Sequence, residues 1–121
     1  MAKILLAEDD NSMSDFLTMA LAREGHDVTA RNDGLEALAE LKDNADYDLL
    51  LTDIVMPGMD GIELAQKASD IAPNLKVMFI TGFAAVTMNS KQTEIGDTKV
   101  LSKPFHLKEL VTQVDKILNV A

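Results

Sequence analysis

The feature that most constrains how this chain folds is a rhythm. Short apolar runs recur at residues 4–7, 28–30, 49–51, 77–80 and 100–101, and stretches long enough for a helix separate them. Runs such as Ile4-Leu5-Leu6-Ala7 and Val77-Met78-Phe79-Ile80 show no polar alternation, the pattern of parallel strands covered on both faces. The runs at 28–30 and 100–101 are weaker and read as sheet edges. Between the runs, a first helix is expected from Ser12, with Asp15 completing a weak capping box, to near Gly25. A second carries Leu35, Leu38 and Leu41 on one side, and a third runs from near Asp60-Gly61 to before Pro73. The last is the clearest, because Leu107, Leu110, Val111, Val114, Ile117 and Leu118 form one stripe at helical spacing. The stretch "AAVTMNSKQTEIGD" is rich in poor helix formers, so it is expected to be short or mobile. Five strands alternating with helices predict an α/β fold around a five-stranded parallel sheet with helices on both faces, in a single domain.

Length and composition fit one such domain. The chain has 121 residues, 47% of them hydrophobic, enough to bury a core. Its formal net charge of −9 argues against a nucleic-acid partner and against an anionic membrane surface. No apolar stretch is long enough to span a bilayer, and the start "MAKILLAEDD" is too short for a signal-peptide core. There is no cysteine, which excludes disulfides and thiolate metal sites and fits a cytoplasmic chain.

Ligands of open parallel sheets bind beyond the carboxyl ends of the strands, so those ends carry the functional argument. The first run ends in Glu8-Asp9-Asp10, the third in Thr52-Asp53 before "IVMPGMDG", the fourth in Thr81-Gly82 and the fifth in Ser102-Lys103-Pro104. Neighbouring carboxylates repel by roughly 4 kcal/mol at 4 Å and an effective dielectric near 20. A cluster of them therefore calls for a cation, and oxygen ligands select Mg²⁺, Ca²⁺ or Mn²⁺ over zinc. Mg²⁺ fits best, since it needs only one or two carboxylates, water and a phosphate. A carboxylate beside it can attack phosphorus, with Lys103 balancing phosphoryl charge, Thr81 donating a hydrogen bond and Gly82 leaving space. Taken singly, each element has a plainer explanation. Glu8-Asp9-Asp10 can be a solvated helix start, Thr81 a strand end, Lys103 a surface lysine and Met56-Pro57-Gly58 a turn. Their convergence on four strand ends is the argument.

The phrases "ILLAEDDN", "LLLTDIVMPGMDGIEL", "VMFITGFAA" and "VLSKPFHLKELV" resemble the receiver domains of bacterial two-component response regulators, the CheY-like fold, across essentially the whole chain. The resemblance implies the strand order 2-1-3-4-5. It implies Asp53 as phosphoacceptor, Mg²⁺ on Asp9, Asp53 and the Val55 carbonyl with Glu8 acting through water, Thr81 as switch hydroxyl and Lys103 as phosphate partner. Asp10 falls outside that set. A cis Lys103–Pro104 bond is implied as well. The donor would be a phosphohistidine on a sensor histidine kinase or a histidine phosphotransfer protein. The chain would be no enzyme beyond taking up and slowly losing its own phosphoryl group. Two departures stand out. Val100 occupies the usual aromatic switch position, and Val55 and Phe83 are apolar where polar groups can orient a hydrolytic water. A slowly hydrolysing phosphoaspartate is the expectation, although both residues can equally be simple packing groups.

With no output domain expected after the last helix, the chain would be a monomer that acts by docking or by relay. Its phrases are most similar to single-domain receivers that prime the AAA+ protease ClpXP, which implies a proteolytic adaptor active when unphosphorylated. Other classes fit less well. A haloacid-dehalogenase-type phosphatase needs an acid two residues after the nucleophile, where this chain has Val55. A flavodoxin-like phosphate loop would be repelled by Glu8-Asp9-Asp10. A docking module with a relic site would not need Glu8, Asp9, Asp53, Thr81 and Lys103 together. His26 and His106 lie before a strand and just after Lys103-Pro104-Phe105, not mid-helix as in a phosphotransfer protein.

Overall fold

The structure is a computed structural model that describes residues 2–81, 99–102 and 106–118. The weak-helix stretch at 84–97, and with it Gly82, Phe83, Lys103 and the Lys103–Pro104 bond, lies outside the described residues.

The elements alternate as the rhythm demands: β1 (Lys3–Ala7), α1 (Asn11–Arg23), β2 (Asp27–Arg31), α2 (Gly34–Asp43), β3 (Leu49–Asp53), α3 (Gly61–Ile71), β4 (Lys76–Thr81), β5 (Lys99–Ser102) and α4 (Leu107–Leu118). All strand pairs are parallel, and the sheet order is β2-β1-β3-β4-β5. The two weak runs do form the edges, while the apolar β3 is buried along its whole length. Successive strand residues feed opposite faces. Ile4, Leu6, Leu49, Leu51, Met78 and Ile80 pack with Leu17 and Leu21 of α1 and Leu110 and Val114 of α4. Leu5, Ala7 and Leu50 pack on the other face with Ala37, Leu38 and Leu41 of α2 and Leu64 and Ala68 of α3.

The helix ends have local causes, and one differs from the expectation. The N-cap of α1 is Asp10, not Ser12: its carboxylate accepts from the amides of Ser12 (2.9 Å) and Met13 (3.2 Å). An acid at that position satisfies two amides and opposes the positive helix end, which Ser12 followed by Asp15 does less well. The helix stops where Gly25, at φ +94°, donates to the Ala22 carbonyl and His26 donates to that of Leu21, a Schellman closure. α2 and α3 start alike, on Asp33-Gly34-Leu35-Glu36 and Asp60-Gly61-Ile62-Glu63. In each, the aspartate carboxylate accepts from the glutamate amide at 2.8 Å.

A second correction concerns α2. Leu38 and Leu41 are buried, but Leu35 is 58% exposed. It lies in the first turn but about 100° round the helix from Gly34, off the buried face that Gly34, Ala37, Leu38 and Leu41 share. The stripe of α4 is centred on Leu110 and Val114, with Ile117 and Leu118 partly buried against the core and Leu107 exposed.

Candidate functional site

The carboxyl ends of β1 and β3 are neighbours because these two central strands pair in register, with Ala7 opposite Thr52. One residue further on, Glu8 still donates its amide to the Arg31 carbonyl of β2 at 3.1 Å, so its side chain is held inward and is fully buried. Its carboxylate accepts from the Asp10 amide at 3.0 Å. Asp10 therefore supports the pocket with its main chain while its side chain caps α1. Asp9 alternates outward and is exposed. Asp53 closes β3 with 7% of its surface exposed, and its carboxylate accepts from the Val55 amide at 3.2 Å.

Glu8, Asp9 and Asp53 each present a carboxylate oxygen to one small space, all within 4.8 Å of one another. Among the described residues this is the one such cluster. Unit charges at that spacing repel by about 3 kcal/mol per pair at an effective dielectric near 20. With two of the three largely dehydrated, the donor set is hard, anionic and pre-assembled. It fits Mg²⁺, which is content with a few carboxylate oxygens and fills its other positions with water or phosphate.

The other expected residues divide. Thr81 ends β4 one position beyond Ile80, the register partner of Asp53, and is buried at the same sheet edge. Val55 follows Asp53 with its side chain 50% exposed. Ser102 pairs in register with Thr81, which leads the chain toward this edge, but Lys103 itself lies outside the described residues. Val100 is partly buried against Ile54 and Phe79. His26 sits at the opposite end of the sheet, where its Nδ1 accepts the Ala2 amide at 3.3 Å and its Nε2 lies 3.9 Å from Asp115. It is remote from the acidic pocket, and neither it nor the exposed His106 is presented mid-helix.

The Asp10 carboxylate lies outside the acidic cluster, as expected, but sequence reasoning missed that its amide holds Glu8. The glycine of each Asp-Gly start also carries a steric role. A methyl group on Gly61 would overlap the Asp53 carbonyl, and one on Gly34 would lie 2.6 Å from the Met59 carbonyl. The twice-used Asp-Gly-x-Glu phrase was the available signal.

An acidic pocket at the switch edge of a 2-1-3-4-5 sheet narrows the family sharply. The sequence matches the response regulator receiver domain over residues 4–115. The chain belongs to this family. The response regulator receiver protein CpdR of Brucella abortus (strain 2308) is 55% identical, over 98% of this chain and 98% of its own length. The DNA-binding transcriptional regulator NtrC of Azospirillum brasilense is 36% identical over 98% of this chain, which spans only 24% of that longer protein. Among solved structures, the response regulator receiver protein from Sinorhizobium medicae WSM419 superposes with a TM-score of 0.88 at 34% identity, covering 98% of this chain and 94% of that one. Receiver domains bind Mg²⁺ at an acidic pocket, and this receiver has the carboxylates for one in Glu8, Asp9 and Asp53.

Proposed function

We propose that this receiver accepts a phosphoryl group on Asp53 from a phosphohistidine of a sensor histidine kinase or histidine phosphotransfer protein, and that the modification switches its binding to a partner. The observation that carries the reading is the convergence of Glu8, Asp9 and Asp53 within 4.8 Å at the carboxyl edge of the sheet. Glu8, Asp9, Asp53 and the Val55 carbonyl would hold Mg²⁺, which when bound supplies charge neutralisation for an anionic donor.

In the transfer itself, an Asp53 carboxylate oxygen attacks phosphorus. The new O–P bond forms as the N–P bond to the donor imidazole breaks, and the electron pair leaves with that nitrogen. Burial of Asp53 beside Glu8 keeps bulk water from competing for the carboxylate. The Val55 amide fixes one of its oxygens and so helps set the orientation of the carboxylate. Thr81 would bond a phosphoryl oxygen from the β4 side, and Lys103 would pair with the phosphoryl charge.

Downstream, the unphosphorylated form would dock on the AAA+ protease ClpXP as an adaptor. This part rests on the likeness to single-domain receivers of that kind and on the full-length similarity to CpdR. A pure relay role, passing the phosphoryl group to a second histidine, is the alternative.

Intact-mass measurement after incubation with a small-molecule phosphodonor tests the first part. One phosphoryl group should add in Mg²⁺, none in chelator and none to Asp53→Asn. Absence of addition to the wild type, under conditions that label a control receiver, would sink it. A pull-down with purified ClpX and ClpP, comparing wild type with Asp53→Ala, tests the adaptor role. If neither form retains either component, that role loses its support.

A further inference from the structure

The pocket geometry points to a second layer of control over Asp53, acting through its main chain. This inference rests on the phosphoacceptor reading above. Asp53 is the last residue of β3, and the pairing of β3 with β1 ends at Thr52. The carbonyl of Asp53 therefore lies past the last register pair with β1, while Asp53 itself still pairs with Ile80 of β4. Two neighbours secure it. The hydroxyl of the fully buried Thr52 donates to that carbonyl at 2.8 Å. From the other side, the bare Cα of Gly61 packs so close that any Cβ there would overlap the same oxygen.

A peptide unit is planar, so holding its oxygen orients its N–H as well. The unit between Asp53 and Ile54 is held at both ends, because the Ile54 amide donates to the Ile80 carbonyl at 3.0 Å. The following unit is held by the Gly61 amide, which donates to the Ile54 carbonyl at 2.8 Å. Its own N–H is that of Val55, which reaches back to the Asp53 carboxylate. A continuous path of pinned peptide planes thus runs from the Thr52 hydroxyl to the carboxylate oxygen. Thr52 has no other evident use. It is buried and polar, its side chain is not in the acidic cluster, and an aliphatic residue of the same shape would fill its space.

We propose that Thr52 and Gly61 are positioning residues for phosphoryl acceptance: the Thr52 hydroxyl and the absent Gly61 side chain set the Asp53–Ile54–Val55 backbone, and through it the aim of the Asp53 carboxylate. Small misplacements of a reacting group are costly in rate, so the effect is read in kinetics more than in stability.

The test is a pair of substitutions with opposite expectations. Thr52→Val removes the hydroxyl and keeps the shape; Thr52→Ser keeps the hydroxyl and loses a methyl group. Phosphorylation of the full chain by acetyl phosphate at saturating Mg²⁺ is followed by intact mass, with thermal melts of each variant alongside. Thr52→Val should be about fivefold slower, the factor expected for one neutral hydrogen bond, and should still fold while melting somewhat lower, because the Asp53 carbonyl loses its donor. Thr52→Ser should melt lower and still react near the wild-type rate. A packing role gives the reverse order and would overturn the proposal. So would Thr52→Val at the wild-type rate, or the two variants slowed equally. Gly61→Ala should slow the reaction further than Gly34→Ala, which meets the Met59 carbonyl instead of that of Asp53; equal rates in these two would also count against it. A wild type that takes up no phosphoryl group fails at an earlier step and removes the receiver chemistry itself.

Discussion

At the scale of single residues, the acidic pocket sets three carboxylates close together. Glu8, Asp9 and Asp53 crowd into one small volume, two of them largely away from water. Asp53→Asn should therefore raise metal-free stability, by roughly 1–2 kcal/mol after the Coulomb cost of one removed charge is reduced by solvent screening at Asp9. Denaturant unfolding in chelator measures this. Added Mg²⁺ should stabilise the wild type, by about 2.7 kcal/mol at one hundred times its dissociation constant, and should stabilise Asp53→Asn less. If Asp53→Asn is the less stable protein in chelator, the repulsion argument fails. Val55 stands half exposed next to Asp53, an apolar group where a polar one could orient water. Val55→Asn should speed loss of the phosphoryl group about tenfold, a modest gain on the scale of positioned polar groups. An unchanged half-life in a mass-spectrometric time course would show that Val55 only packs.

At the scale of elements, the starts of the helices matter because three of them border the site. Asp10 caps α1 through two amides while its own amide holds Glu8, so helix and pocket share one residue. Asp10→Ala should cost about 1 kcal/mol in denaturant unfolding, and Asp10→Asn should recover most of it. Faster hydrogen exchange at the amides of Ser12 and Met13 in Asp10→Ala alone would locate the loss at the cap. The elements were legible from sequence wherever periodicity was carried by many residues at once, as in β1, β3, β4 and α4. Boundaries were less legible. Ser12 and Asp10 both look like caps on paper, and the choice is made by which side chain the turned backbone brings beside free amides. Leu35 is three residues before Leu38, yet it is exposed because the buried face of α2 is Gly34, Ala37, Leu38 and Leu41, and position 35 lies to one side of it. Three leucines at a spacing of three leave the centre of the buried face undetermined by more than one position.

At the scale of the whole molecule, a polar network ties α2 both to the carboxyl end of edge strand β2 and to the approach to β3. Tyr47, in the approach to β3, donates to Glu40 of α2 at 2.7 Å, and Arg31 of edge strand β2 binds the other oxygen of that carboxylate at 2.9 Å. The Tyr47 hydrogen bond holds the Glu40 carboxyl below its ordinary value; partial burial opposes this and the Arg31 guanidinium adds to it. Burial pushes the Tyr47 phenol up. A carboxyl with a depressed folded-state pKa binds fewer protons folded than unfolded. Its contribution is present above the ordinary glutamate range and is lost as pH falls through that range and below it. Glu40→Gln should thus melt below wild type at neutral pH, with the gap closing on acidification. A gap that stays constant between pH 7 and pH 3 would show that the charge of Glu40 does not matter. For Tyr47 the sign is opposite: its contribution is present below the ordinary phenol range and is lost as pH rises through its raised folded value.

The sequence alone determined the alternation of strands and helices, the parallel sheet they imply, and the acid, hydroxyl and lysine at the strand ends. These follow from local pattern and from the rule that ligands of such sheets sit at their carboxyl edge. Only the tertiary structure decided that Glu8 is buried while its neighbour Asp9 is exposed, and that both meet Asp53, from a distant strand end, within 4.8 Å. It also decided that Thr52 and Gly61 close on the Asp53 carbonyl. The physical reason is the same in each case. A residue's type is local information, whereas its contacts depend on strand register and on how closely a helix end approaches a strand end.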